Sequence, residues 1–131
     1  MKSLRLILDE LNTPSAQRDQ WFLWCAAQMA HAMIGAVLAG GLLFVLAPGW
    51  AFATATLGYA MAKEVPDFCR APSWATARDC VQDALFVAGG AALVVAIAKG
   101  LALLFIGAVV AAAIGLGWGA ALRLKGAGDV R

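Results

Sequence analysis

From Trp21 to Leu122 the sequence is a succession of long apolar runs, each interrupted by a short polar break that carries the chemistry of a helix end. The first run closes at the turn dipeptide Pro48-Gly49. The second loses its apolar character at Lys63, Glu64 and Asp67 and meets Pro66, which has no N–H and restricts the residue before it. Ala71-Pro72-Ser73 follows as a turn, with Ser73 suited to cap the next helix. The third run, Ala84 to Ala98, is too short to cross a bilayer alone. Extending it backwards to about 20 residues draws in Asp79 at the boundary and Asp83 one turn inside. Lys99-Gly100 makes a tight hairpin into a fourth run, Leu101 to Leu122, which ends at Arg123 and Lys125. The pattern predicts four spans at about residues 21–47, 49–68, 74–98 and 101–122.

The start of the chain has a different period. In KSLRLILDEL, Leu4, Ile7, Leu8 and Leu11 fall at i, i+3, i+4 and i+7, with Lys2, Arg5, Asp9 and Glu10 around the rest of the wheel. One apolar stripe on a helix too short to span suits the headgroup plane, so residues 1–12 are expected as an amphipathic helix, with Thr13-Pro14 opening the next one. The expected fold is all-α: a polytopic membrane four-helix bundle with an N-terminal interfacial amphipathic helix, in one domain over residues 1–131. A three-span alternative makes residues 84–122 one tilted or re-entrant segment and places Lys99 inside the bilayer, at the cost of an intramembrane charge.

Composition agrees with a membrane protein. Hydrophobic residues make up 63% and charged residues 14%, against roughly 45–50% and 25% in soluble domains. With four spans in 131 residues, no extramembrane enzyme domain is expected within this sequence. A net charge of +2, with no basic run interleaved with aromatics, argues against nucleic acid as a partner. Cys25, Cys69 and Cys80 show neither paired nor zinc-site spacing. With four spans, every Lys and Arg except Lys99 falls on the side of the termini and the 63–79 hinge. The positive-inside rule then places both termini in the cytoplasm, in a multi-pass protein of the bacterial inner membrane. Trp21, Trp24, Trp50 and Trp74 read as interfacial anchors. Small residues recur four apart at Gly35/Ala39, Gly58/Ala62, Gly107/Ala111 and Gly115/Gly119, the spacing that lets helices approach closely in lipid. They serve packing within one bundle or a homo-oligomer, and Gly115/Gly119 is the best pair for contact between chains.

Depth counting adds a candidate site. His31, Lys63, Glu64 and Asp83 fall at one level, about one turn below the cytoplasmic surface, with Gln28, Asp67 and Asp79 just above. Ionisable groups in a bilayer cost about 2.5–3.5 kcal/mol each at a helix centre unless they face one another or water. Glu64, Asp79 and Asp83 offer oxygen ligands for a hard divalent cation such as magnesium, and His31, Glu64 and Asp83 offer acid–base groups. Lys63 and Arg78 would neutralise a phosphate. The same residues also suit a self-neutralised network, with Lys63 on Glu64 or Asp67, Arg78 on Asp79 and His31 on Asp83.

A histidine in the first span, Lys-Glu-x-x-Asp closing the second, a short Ser-Trp loop and Asp-x-x-x-Asp entering a Gly/Ala-rich third span resemble the VanZ-like and YfiM-like small membrane proteins of unknown function. The residues are His31, Lys63, Glu64, Asp67, Ser73, Trp74, Asp79 and Asp83, within about residues 19–98. Those families place glycine three residues after the last acidic position, where this chain has Phe86, with Gly89-Gly90 later. The resemblance implies an integral membrane protein and no particular reaction. The short format is also similar to that of phage-encoded membrane proteins. Three functions are weighed: a homo-oligomeric or complex-forming membrane protein, structural or holin-like, in contact with the lipid bilayer; a metal-dependent enzyme acting on a lipid headgroup or lipid phosphate; and a proton or cation transporter subunit, which the nearly all-apolar outer halves of the spans disfavour.

Overall fold

The computed structural model describes residues 21–128, with side chains as far as Leu124. The amphipathic helix expected over residues 1–12, the Thr13-Pro14 start and the last residues of the tail lie outside them. The described residues are helical, with no strand among them. Helix α1 is Trp21–Leu42, α2 is Pro48–Tyr59, α3 is Val65–Arg70, α4 is Trp74–Lys99 and α5 is Ala102–Gly128. Three helical stretches are long and apolar enough to cross a membrane: Trp21–Leu42, Trp74–Lys99 and Ala102–Leu124. The segment expected as the second span, α2 to α3, is not among them; it is a helical rod in three pieces, with a π-helical turn at Ala60–Glu64 between α2 and α3.

That turn has a local cause. Pro66 cannot donate to the carbonyl four residues back and its ring crowds that carbonyl, so the helix ahead of it is free to widen. The Val65 N–H bonds to the Ala60 carbonyl, one residue further back than in an α-helix. The consequence is a change of face. Ala51, Ala55 and Tyr59 are the buried positions of α2, four apart. The next buried position is Glu64, five on, while Lys63 is displaced to a half-buried place beside it. A regular α-helix would continue that stripe at the lysine.

Helix α4 is the hub, packing against α1, α2 and α5. It starts at Ser73, whose Oγ accepts from the Thr76 N–H at 3.0 Å. It ends at Gly100, whose φ of 65° lets the N–H groups of Gly100 and Leu101 return to the last-turn carbonyls of Ile97 and Ala96. This hairpin leaves Lys99 exposed, in agreement with two helices over residues 84–122 rather than one. A Cβ at position 100 is disfavoured in the left-handed region by about 1–2 kcal/mol, so Gly100→Ala is expected to lower the thermal midpoint in detergent by that equivalent.

The core is built from small residues. Ala39, Ala55 and Ala91, one from each of α1, α2 and α4, form its centre, with Leu42 and Phe52 against them. Helices α1 and α4 meet main chain to main chain: Gly35 lies on the Val87 carbonyl and Gly90 on the Ala32 carbonyl, with no room for a Cβ at either. Dispersion between closely approached backbones is the force available in lipid, where apolar burial adds little. Gly58, expected at a helix contact, faces open space, because the buried stripe of α2 runs through Ala55 and Tyr59.

Helix α5 lies on the outside, against α4 and α1, with only 6% of its most apolar stretch buried. Gly115 faces Phe86 and Gly119 faces Trp24, both in the same chain. Trp24, expected as an interfacial anchor, is instead 5% exposed. Its indole fits the space left by the missing side chain of Gly119, sits edge-on to Phe86, and is covered by the Arg123 guanidinium at 4.1 Å from the ring centre. Trp21, Trp50 and Trp74 are exposed.

Candidate functional site

The polar layer forms where α1, the π-turn and α4 converge. Each contributes one group. His31 comes from the buried face of α1, which also carries Trp24, Gln28 and Gly35. Glu64 comes from the π-turn and Asp83 from α4. One ligand-capable atom from each of the three lies within 4.8 Å of the others. The His31 Nδ1 is 3.5 Å from Asp83 Oδ1, and the Gln28 Nε2 donates to the same oxygen at 2.8 Å.

Lys63 and Asp67 form the rim. The lysine Nζ is 2.9 Å from Asp67 Oδ2 and 3.6 Å from Glu64 Oε1, and Arg70 closes on Asp67 at 3.2 Å. Lys63 is therefore already paired, and Asp67 is shared between two cations. Arg78 is exposed and makes no ion pair among the described residues. Asp79 does not join the group, although it shares a face with Asp83. Four residues at 1.5 Å per residue put it about 6 Å further along α4, past the level of His31 and Glu64. The structure thus brings together His31, Glu64 and Asp83, and puts an imidazole where the sequence offers the carboxylate of Asp79.

Glu64 is 5% exposed, and its Oε1 has no hydrogen-bond partner among the described residues. The same holds for His31 Nδ1, the Gln28 Oε1 and the Tyr59 hydroxyl. His31 Nδ1 and Glu64 Oε1 still have ion-pair contacts, to Asp83 and Lys63, whereas the Gln28 Oε1 and the Tyr59 hydroxyl make no hydrogen bond among the described residues, a state that costs about 1–3 kcal/mol for each buried atom. Tyr59 stands among these groups with its ring edge-on to His31 at 5.9 Å between centres. The Cys80 thiol donates to the Glu64 carbonyl at 3.4 Å, which helps to fix the π-turn against α4.

Tyr59 is the functional candidate that sequence pattern does not reveal. Its signal is modest: the chain's single tyrosine, on the small-residue stripe of α2, five residues before a buried glutamate.

In comparisons with protein-family models, with curated proteins and with solved structures, nothing matches this chain.

Proposed function

We propose that this chain is a multi-pass protein of the bacterial inner membrane with a divalent metal ion on His31, Glu64 and Asp83. The ion acts on phosphate-bearing lipid headgroups at the cytoplasmic face. The observation that carries the reading is the convergence of one imidazole and two carboxylates from three separate helical segments to within 4.8 Å. Ligands about 2.0–2.2 Å from a four-coordinate ion stand about 3.3–3.6 Å apart, so a pair at the 4.8 Å limit closes on a cation with about an ångström of side-chain movement. Asp83 has His31 at 3.5 Å and Glu64 has Lys63 at 3.6 Å, as a self-neutralised network would, but Lys63 is held more closely by Asp67 at 2.9 Å, and two carboxylates in an apolar bundle favour a further positive charge. The imidazole favours zinc, manganese or iron over magnesium, which prefers oxygen ligands and its own waters.

The crossing is fourfold in this reading, with α2 to α3 as the second pass and its charged end in the cytoplasmic headgroup region. The exposed Trp74 and Arg70 suit that level in this reading. Arg78, exposed near the start of α4, is the cation this reading assigns to a phosphate. His31, Lys63, Glu64 and Asp83 are also residues that carry the resemblance to the VanZ-like and YfiM-like proteins. A homo-oligomeric or holin-like role finds less support, because Gly115 and Gly119 face Phe86 and Trp24 of the same chain.

Protein purified in detergent and equilibrated with manganese or zinc is expected to retain a single ion per chain by elemental analysis after gel filtration. It should also turn over a lipid phosphate in mixed micelles in a metal-dependent way. Retention no greater than in Asp83→Asn protein removes the metal, and retention without turnover removes the enzyme.

A further inference from the structure

We propose that the ion's coordination shell is completed by a water molecule, and that Gln28 and Tyr59 are the positioning residues that hold it. This rests on the metal reading and adds to it that the centre is open, as hydrolytic centres are, rather than closed as structural ones are. Three protein donors leave a four-coordinate ion at least one position short. What surrounds that position decides what fills it.

Gln28 is 3% exposed and its orientation is fixed by chemistry. An ionised carboxylate only accepts, so the amide face toward Asp83 Oδ1 must be the nitrogen, at 2.8 Å. That bond holds the Asp83 carboxylate in place for an ion, as outer-shell partners of metal ligands do. It also leaves the amide oxygen as a buried acceptor without a donor. Tyr59, 9% exposed, has its ring against the His31 ring, and its hydroxyl lies beside Glu64 without a hydrogen bond in good geometry. One free acceptor and one hydroxyl, each buried on a different helix, flank the three ligands.

An anion cannot satisfy both. A phosphate oxygen would take the tyrosine proton but would face the Gln28 oxygen with no proton between them. A water bound to the ion has two protons to give, and it can accept from or donate to the phenol. The pair therefore selects water over an anionic oxygen as the resident ligand. A substrate phosphate then has to approach from the rim formed by Lys63 and Asp67.

The test uses manganese as the probe, bound to the full-length protein in ¹⁷O-enriched water and read by electron–nuclear double resonance. Wild type is expected to show a ¹⁷O coupling from bound water together with a ¹⁴N coupling from the His31 imidazole. Tyr59→Phe removes one hydroxyl and nothing else. It is expected to keep the ¹⁴N coupling while manganese affinity falls about tenfold, the lower end of what outer-shell losses cost. In either reading losing this hydroxyl leaves the metal-free thermal midpoint unchanged or raised, so manganese affinity is the readout that a purely packing role would not move. Bound manganese with ¹⁴N but no ¹⁷O coupling overturns the open site. Unchanged affinity in Tyr59→Phe overturns the role of the phenol. Wild-type protein that binds no manganese takes away the metal reading itself, a failure distinct from the other two.

Discussion

Asp83→Asn and Glu64→Gln are each expected to weaken divalent-metal binding by more than the roughly 10–100-fold that outer-shell losses cost, because each removes a direct charged ligand from a set of three. Both substitutions preserve shape. The amide introduced by Asp83→Asn keeps an oxygen for Gln28 to donate to, so the local packing survives and the loss is one of charge. The metal-free protein should respond in the opposite direction. Glu64 is buried, with only a 3.6 Å ion-pair contact to Lys63 and no hydrogen bond at Oε1, and neutralising a carboxylate in an apolar bundle removes a desolvation cost. The two variants should therefore be as stable as wild type, or more so, without metal, and less stable than wild type with it. Asp79→Asn is the control on the same helix face. It lies about 6 Å along the axis from Asp83 and outside the ligand group, and should change affinity by less than a factor of about three, within the spread usual for distant surface charges. Calorimetric titration of manganese into the three variants decides the matter. Equal losses in Asp79→Asn and Asp83→Asn would mean that the ion responds to overall negative charge and that the trio is not its ligand set.

The level of this site was legible in the sequence because helical rise is nearly constant. Counting from Pro48, and from the ends of the apolar runs, is enough to place His31, Glu64 and Asp83 in one plane. Which face each residue occupies was not legible in the same way. A level is a sum of rises, whereas a face depends on an angle that a single extra residue can turn, and the π-turn at Ala60–Glu64 inserts that residue. Without it the buried stripe of α2 leads from Tyr59 to Lys63. Asp79 shares a face with Asp83, but the same count already sets it just above the level of the other three, and the ligand group forms without it. Trp24 illustrates another limit. An aromatic residue near a helix start has the same sequence signature whether it anchors in headgroups or fills a glycine gap on another helix, and only the position of Gly119 distinguishes them.

The α1–α4 contact gives the second large effect, and it connects packing to chemistry. Gly90→Ala is expected to destabilise the protein although alanine is the better helix former by about 1 kcal/mol. At position 90 the new methyl would run into the main-chain carbonyl of Ala32, which is held by its own helix and cannot swing aside as a side-chain tip could. Overpacking of this kind costs about 1–3 kcal/mol and more where backbone must move, so the clash exceeds the propensity gain. Gly35→Ala meets the Val87 carbonyl in the same way. Gly89→Ala is the matched control: it is the neighbouring residue in the same helix, with open space where its Cβ would go, and should be neutral or stabilising by about 0.5–1 kcal/mol. The site should follow the packing. Gln28 and His31 reach Asp83 across this same contact, at 2.8 Å and 3.5 Å, so pushing the backbones apart by even an ångström breaks the hydrogen bond and spreads the ligands beyond an ion's reach. Gly90→Ala is therefore expected to lose metal affinity together with thermal stability in detergent, while Gly89→Ala loses neither. If Gly90→Ala were stable but unable to bind metal, the contact would be setting the site's geometry without holding the fold. If it bound metal normally, the close approach of α1 and α4 would not be what positions the ligands.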